Sequence, residues 1–298
     1  MLLPKVSDSF AGRMQTTTLW CPSLRELNGV SGSFIDNIIS GKRDFTGLAF
    51  ADAPEVIEKG MYPDPAINLD QSDATEWYNA YIDALIQRDV RDLAAISNIG
   101  DLRRILNLLA ATMPGLENDA RMSTHLKINA MTFKRYKSLL EALHLLIRIP
   151  PYTANIGKRQ VKSAKIFLSD TGIQCALTGI TAVKMRTDRN YLGSLLETLV
   201  MNELVKQAGW STHKVNIMHW RIHGSSEVDI ILETIDGSII GIEVKAAETV
   251  KSNDFNGLNA LKQIAGSKYL LGIVLYTGNS TVWFSDSNVA MPVTTLWS

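Results

Sequence analysis

The chain has 298 residues, 46% of them hydrophobic and 20% charged, with 30 Lys and Arg against 30 Asp and Glu. That length calls for about two domains, and that composition excludes an intrinsically disordered chain. No apolar run reaches the ~18 residues of a membrane span, the opening Met1-Leu-Leu-Pro-Lys-Val turns polar too soon for a signal peptide, and Cys21 and Cys175 alone exclude a disulfide framework or a Cys-based zinc site. A soluble protein of the reducing cytoplasm is expected.

The first fifty residues show no full amphipathic period, and Ser31-Gly-Ser and Ser40-Gly-Lys-Arg read as turns. Pro54 opens a helix that Gly60, Pro63 and Pro65 close. A long helix is expected over 74–96, with Trp77, Tyr81, Leu85, Val90 and Leu93 near helical spacing and Asp73 as N-cap. Trp77 and Tyr81 read as packing residues. The acidic run over 44–101 reads as a solvated face.

Residues 101–170 have the rhythm of a winged helix-turn-helix: helices over 101–112, 120–126 and 129–144, the last capped by Asn129, then strands over 145–149 and 161–168. On the third helix Phe133, Tyr136, Leu140 and Leu143 make one apolar stripe, with Lys134 and Arg135 away from it. The link between the strands, 150–159, would be the wing. Asp170-Thr-Gly172 reads as a strand-to-helix N-cap, since an aspartic-protease site needs a second carboxylate-bearing lobe that the chain lacks. Beyond residue 190 a helix is expected over 192–208, strands over 217–222, 227–233 and 238–245, a helix over 258–264 and a buried strand over 269–276. The fold class is α/β, α+β overall.

The neutral total hides an uneven charge distribution. Residues 1–120 carry a net −7, residues 121–166 a net +9, and residues 167–298 a net −2. The basic block suggests a nucleic-acid footprint carried by Lys134, Arg135, Lys137, Lys158, Arg159, Lys162 and Lys165. The alternative is that the block docks on the protein's own acidic N-terminal part.

The residues best suited to chemistry are Glu227-Val-Asp229 and, after a turn, Ile242-Glu243-Val-Lys245. Alternation along a strand puts Glu243 and Lys245 on one face, Val244 on the other, and brings Asp229 opposite Glu243 across the hairpin. Two neighbouring carboxylates need a cation, and Mg²⁺ accepts one or two carboxylates plus phosphate and water. Lys245 would orient the attacking water or steady charge on the phosphoryl oxygens, and Glu197 on the preceding helix would add a metal ligand or polarise that lysine. Glu243–Lys245 is otherwise only a surface pair. His213, His219 and His223 lack zinc spacing and read as polar surface, or as a phosphate contact from the neighbouring strand.

The pattern Asp229, Glu243-x-Lys245, after a helix bearing Glu197, resembles the PD-(D/E)xK nuclease-like fold. The whole chain resembles the C-terminal two thirds of a prokaryotic AAA-type ATPase family that ends in a nuclease-like domain of unknown function. Residues 2–14, Gln87-Arg-Asp-Val-Arg-Asp-Leu93, 146–152 with Gly157-Lys158-Arg159, Phe167-Leu-Ser-Asp-Thr-Gly172, 192–203, 227–229, 242–245 and 272–278 carry that resemblance. It implies a remnant of the ATPase module over 1–50, a helical connector over 51–100, a winged helix-like domain over 101–180, and a restriction-endonuclease-like mixed sheet with flanking helices over 181–298. It implies DNA as partner, and it places Arg13 where the ATPase module presents a late arginine. The chain has no Gly-x-x-x-x-Gly-Lys-[Ser/Thr]; Gly41-Lys42-Arg43 lacks the glycine spacing and the hydroxyl that would ligate Mg²⁺. ATP is therefore not expected to bind or be hydrolysed by this chain alone, which is expected to be a truncated gene product, a partner to a separate ATPase, or part of a homo-oligomer. A non-catalytic DNA-binding or protein-interaction module is the rival expectation.

Overall fold

The computed structural model describes residues 17–47, 49–50, 52–93, 99–153, 163–222 and 226–298, with the backbone alone at 89–93. Two short helices come first, α1 (Leu24–Leu27) and α2 (Phe34–Ile39), each capped by a serine hydroxyl, Ser23 and Ser33. Helices of four and six residues bury little among themselves, so both lie on the C-terminal unit. The Leu24 amide donates to Glu203 Oε1 (2.9 Å), the Phe34 amide to Gln207 Oε1 (2.7 Å), and the Arg25 guanidinium to the Leu296 and Ser298 carbonyls. Phe34, Ile35 and Ile38 belong to the same core as the large sheet.

Helix α3 (Ala53–Lys59) starts at Pro54 and stops at Gly60, whose φ of +67° favours glycine. After a π-helical turn (Asp64–Asn68), α4 runs over Gln71–Leu93. Its first amides are held by Asp70, not Asp73. The Asp70 carboxylate accepts the Asp73 amide (3.0 Å) and the Ser72 hydroxyl (2.9 Å), which leaves Asp73 inside the first turn.

A second core gathers Tyr78, Ile82 and Ile86 of α4 with α5 (Ile99–Thr112), α6 (Asp119–Leu126) and α7 (Ala130–Ala142). The side chains of Asn118 and Asn129 cap the last two helices. A three-stranded antiparallel sheet closes this unit: β1 (Gly115–Leu116), β2 (Leu146–Ile149) and β3 (Lys165–Leu168), in the order β1-β3-β2. The connector helix α4 thus shares the core of the unit that follows it.

Next come α8 (Thr171–Thr178), α9 (Ala182–Thr187) and the long α10 (Arg189–Trp210). Six strands then form a mixed sheet in the order β4-β5-β6-β7-β9-β8: β4 (Val215–Ile222), β5 (Ser226–Thr234), β6 (Ile239–Lys245), β7 (Tyr269–Tyr276), β8 (Val282–Ser285) and β9 (Asn288–Pro292). β4, β5 and β6 are antiparallel neighbours, β6, β7 and β9 are parallel, and β8 returns antiparallel at the edge. Helix α10 covers one face with Ile230, Leu232, Ile240 and Ile242 beneath it. Helix α11 (Asn256–Ala265) covers the other through Leu258 and Leu261, above Val228, Ile231 and Val274. Gly241 permits that contact, because a Cβ there would lie 2.6 Å from Leu258. The small sheet joins the large one edge-on: the Tyr152 amide donates to the His219 carbonyl (2.6 Å) and the His219 amide to the Pro150 carbonyl (3.1 Å). No helix among the described residues is long and apolar enough to cross a membrane.

Asp170 ties three segments together. Its carboxylate caps α8, accepting the Gly172 (2.8 Å) and Ile173 (3.2 Å) amides, and also accepts the Met61 amide (2.8 Å) from the loop after α3. Burial pushes the carboxyl upward. Asp170→Ala should lower the free energy of urea unfolding by about 3 kcal/mol, because it leaves three buried amides without an acceptor. Asp170→Asn, which keeps one carbonyl oxygen, should recover part of that loss.

Candidate active site

The site lies where β5 and β6 part. Their ladder ends at Ile230 opposite Ile242, and one residue further the Asp229 carboxylate takes over: Oδ2 accepts the Val244 amide at 3.1 Å. Side-chain alternation does the rest. Val244 packs toward the α10 core, while Glu243 and Lys245 share the other face, with Lys245 Nζ 3.4 Å from Glu243 Oε2. Glu243 is buried, and the first turn of α11 presses close to it. A Cβ on Gly257 would come within 3.0 Å of Glu243 Oε1 and 2.0 Å of the Glu227 carbonyl, so only glycine fits. Burial, reinforced by the neighbouring Asp229 carboxylate, raises the Glu243 carboxyl well above the ordinary carboxylate range.

A second group approaches Asp229 from elsewhere. Lys165, the first residue of β3 in the small sheet, places Nζ 2.5 Å from Glu197 Oε1 on α10 and 3.4 Å from Asp229 Oδ1. The three side chains are only 15%, 15% and 13% exposed, which separates this cluster from a solvent-screened surface pair. Burial, then the Asp229 charge, pushes the Glu197 carboxyl up to about 7, with Lys165 offsetting part of the rise. For Lys165 itself burial opposes the charge, but Glu197 and Asp229 prevail and hold its pKa above the ordinary lysine value.

The four residues singled out in the sequence, joined by Lys165, thus form two pairs that meet on Asp229: Glu243 with Lys245, and Glu197 with Lys165. Glu197 faces Lys165 instead of completing a trio of oxygen ligands. Among the described residues no three His, Cys, Asp or Glu side chains gather as a ready ligand set. Beside the cluster is a cavity of about 200 Å³, lined by Lys165, Glu197, Glu227, Asp229, His219 and Arg221, and by Pro114, Gly115 and Leu116 of the smaller unit.

Among the described residues the basic block is not uniformly exposed. Lys134 and Arg135 are exposed on α7. Lys137 is not: it is buried, paired with Glu117 and, at 2.6 Å, with Asp119. It lies one turn after Phe133 and so points to the buried flank of the helix. Its two partners sit just before residue 120, where a charge count by segment assigns them to a different block. Arg148 also pairs with Glu117 (3.0 Å). Lys165 is turned inward to the carboxylates. Lys158, Arg159 and Lys162 lie outside the described residues, as do Arg13 and His223.

His213 is exposed and sits 3.0 Å from Asp36. His219 corrects the polar-surface expectation, being 4% exposed, with Nε2–H donating to the Ser163 carbonyl at 3.2 Å. Burial and then the Lys165 charge lower its pKa to about 4 from the ordinary 6.5. Sequence spacing missed Lys165 as a member of the site; a lysine opening a short apolar strand carries no local sign of its distant partners.

The His219 shift sets a stability–pH relation. Between pH 6.5 and about 4 the unfolded ring takes up a proton that the folded one refuses, so this contribution is full above pH 6.5 and lost as pH falls toward 4. Parallel urea titrations of wild type and His219→Asn over that interval should show a shallower acid loss in the variant, by up to about 3 kcal/mol.

Residues 51–184 match the model of a domain of unknown function (DUF8612). Residues 192–296 match that of a second domain of unknown function (DUF4143), which is typically found C-terminal to AAA-type ATPase domains. Two curated relatives, uncharacterized proteins of Mycobacterium bovis and of Mycobacterium tuberculosis, are each 26% identical over 292 residues, 98% of this chain and 59% of the relative. The chain therefore spans about three fifths of the length of the curated relatives it matches. No solved structure matches it.

Proposed function

We propose that this chain is the DNA-directed portion of an AAA-type ATPase system and carries a Mg²⁺-dependent phosphodiester hydrolase site of the PD-(D/E)xK kind. The observation that carries this reading is the pairing of Asp229 with a buried Glu243 where two strands part, with Lys245 two residues along on the same face. A buried carboxylate beside another carboxylate is strongly disfavoured as an anion, and a hard divalent cation is the partner that relieves both. The order α10, β4, β5, β6, α11, β7 supports the nuclease-like fold, and three helices closed by the β1-β3-β2 sheet support a winged helix.

In this reading Asp229 and Glu243 hold Mg²⁺, which supplies charge neutralisation and a more acidic water. Lys245, half-buried and bonded to Glu243, orients the nucleophilic water or steadies charge on the phosphoryl oxygens. Glu197 acts through Lys165. Lys134 and Arg135 hold the DNA backbone from the exposed face of α7. ATP hydrolysis belongs to an ATPase module outside these residues, which hold no Gly-x-x-x-x-Gly-Lys-[Ser/Thr]. A second reading, a non-catalytic DNA-binding or protein-interaction module, is favoured by the same Lys165 ammonium, which already neutralises part of the carboxylate cluster.

Plasmid nicking with Mg²⁺ or Mn²⁺ separates the two. The catalytic reading expects nicking by wild type, loss of it in Asp229→Asn, and unchanged DNA binding by that variant. Wild type that cuts nothing with any divalent metal leaves only the module. For the DNA-binding part, Lys134→Ala with Arg135→Ala should reduce the slope of log affinity against log salt by about 2, as expected for two lost phosphate contacts. An unchanged slope removes α7 from the interface.

A further inference from the structure

We infer that Lys165 is the resident counter-cation of the carboxylate site and competes with a divalent metal for Asp229, so that the metal binds only as the Lys165 ammonium withdraws. The inference rests on the metal reading above and adds to it a residue supplied by a different unit of the fold. Nζ of Lys165 lies 3.4 Å from Asp229 Oδ1 and 2.5 Å from Glu197 Oε1. The other Asp229 oxygen is held by the Val244 amide at 3.1 Å. An ion seated on Asp229 and Glu243 would therefore meet an ammonium on the Asp229 oxygen that the Val244 amide leaves open. Like charges at contact distance in a site this enclosed repel strongly, since little solvent screens them.

Lys245 does not create the same conflict. It is 38% exposed, bonds Glu243 at 3.4 Å and has solvent to move into. Lys165 is 15% exposed, and its backbone is fixed in the three-stranded sheet by pairing with β1 and β2. Withdrawal of Lys165 is therefore a side-chain swing within the adjoining cavity of about 200 Å³. Glu227 lines that cavity, beside Arg221, and offers a carboxylate in the new position. The arrangement makes occupancy of the metal site depend on the placement of the smaller unit against the large sheet, through one side chain.

The test is Mn²⁺ binding to the full chain, read as free Mn²⁺ by electron paramagnetic resonance. Lys165→Met should bind Mn²⁺ at least about tenfold more tightly than wild type, a change of about 1.4 kcal/mol. Lys165→Arg, which keeps the charge, should bind no more tightly than wild type, and Asp229→Asn should lose binding in either background. If wild type binds Mn²⁺ through Asp229 and Lys165→Met binds equally or more weakly, the competition is wrong while the metal site stands. If neither wild type nor Lys165→Met binds Mn²⁺, both readings fall. Should Lys165→Met not fold, wild type answers the question: reductive methylation followed by mass spectrometry should label Lys165 faster as Mn²⁺ is added, and an unchanged rate with Mn²⁺ bound overturns the inference.

Discussion

A largely buried carboxylate where two strands separate needs partners, and Asp229 takes them from two strands, β6 and β3. The Val244 amide comes from the neighbouring strand, the Lys165 ammonium from the small sheet, and Glu243 stands alongside. Each partner constrains a different element. The amide ties β5 to β6 where their ladder ends, Lys165 ties the small sheet to the large one, and Glu243, with the Glu227 carbonyl, meets the first turn of α11. Desolvating such charges is costly, and removing one member of a buried ion cluster leaves the others uncompensated. The cluster thus specifies the relative placement of two units more than it stabilises either.

The backbone joint between the sheets reinforces that placement. Pro150, Pro151 and Tyr152 run along His219, so the strand leaving the small sheet continues beside the edge of the large one. The His219 ring, kept neutral by burial, seals the joint by donating to Ser163, two residues before Lys165. Candidate chemistry and architecture therefore meet in one place. A shift of β3 moves both a structural contact and the charge that faces the carboxylates.

Helix α10 shows a related principle on the opposite side. Thr198, Asn202, Glu203, Lys206 and Gln207 are all buried on a single helix, an arrangement that an amphipathic surface helix would not tolerate. Thr198 donates to Gln174 Oε1 and to the Ser194 carbonyl, whereas Glu203, Lys206 and Gln207 find backbone partners in the N-terminal segment and the C-terminal end. Glu203 accepts from Leu24, Lys206 donates to Pro22, and Gln207 accepts from Phe34 and donates to Leu296. The first described residues thus complete the cover of α10. The N-terminal fifty residues, expected to be a separate remnant, supply from their described part the polar lining that this helix needs.

Much of the fold was legible locally. The apolar run specifies strand 269–276 end to end, Asn129 and Asp170 mark helix caps, and period-two alternation puts Glu243 with Lys245 and Val244 opposite. These depend on residues a few positions apart, whose geometry follows from backbone periodicity alone. Strands β8 and β9 carry no comparable signal, because they are short and one ends in proline. The burial of Lys137 and the inward turn of Lys165 are not legible for a deeper reason: a lysine's periodicity shows its face of a helix or strand but not whether a carboxylate from a distant segment waits there. Glu117 lies 20 residues from Lys137 and Asp229 lies 64 from Lys165. The sequence by itself determined which side chains share a strand face and that Asn129 and Asp170 cap helices. Only the tertiary structure decided which charges are buried together, because burial and ion pairing depend on segments that chain spacing does not relate.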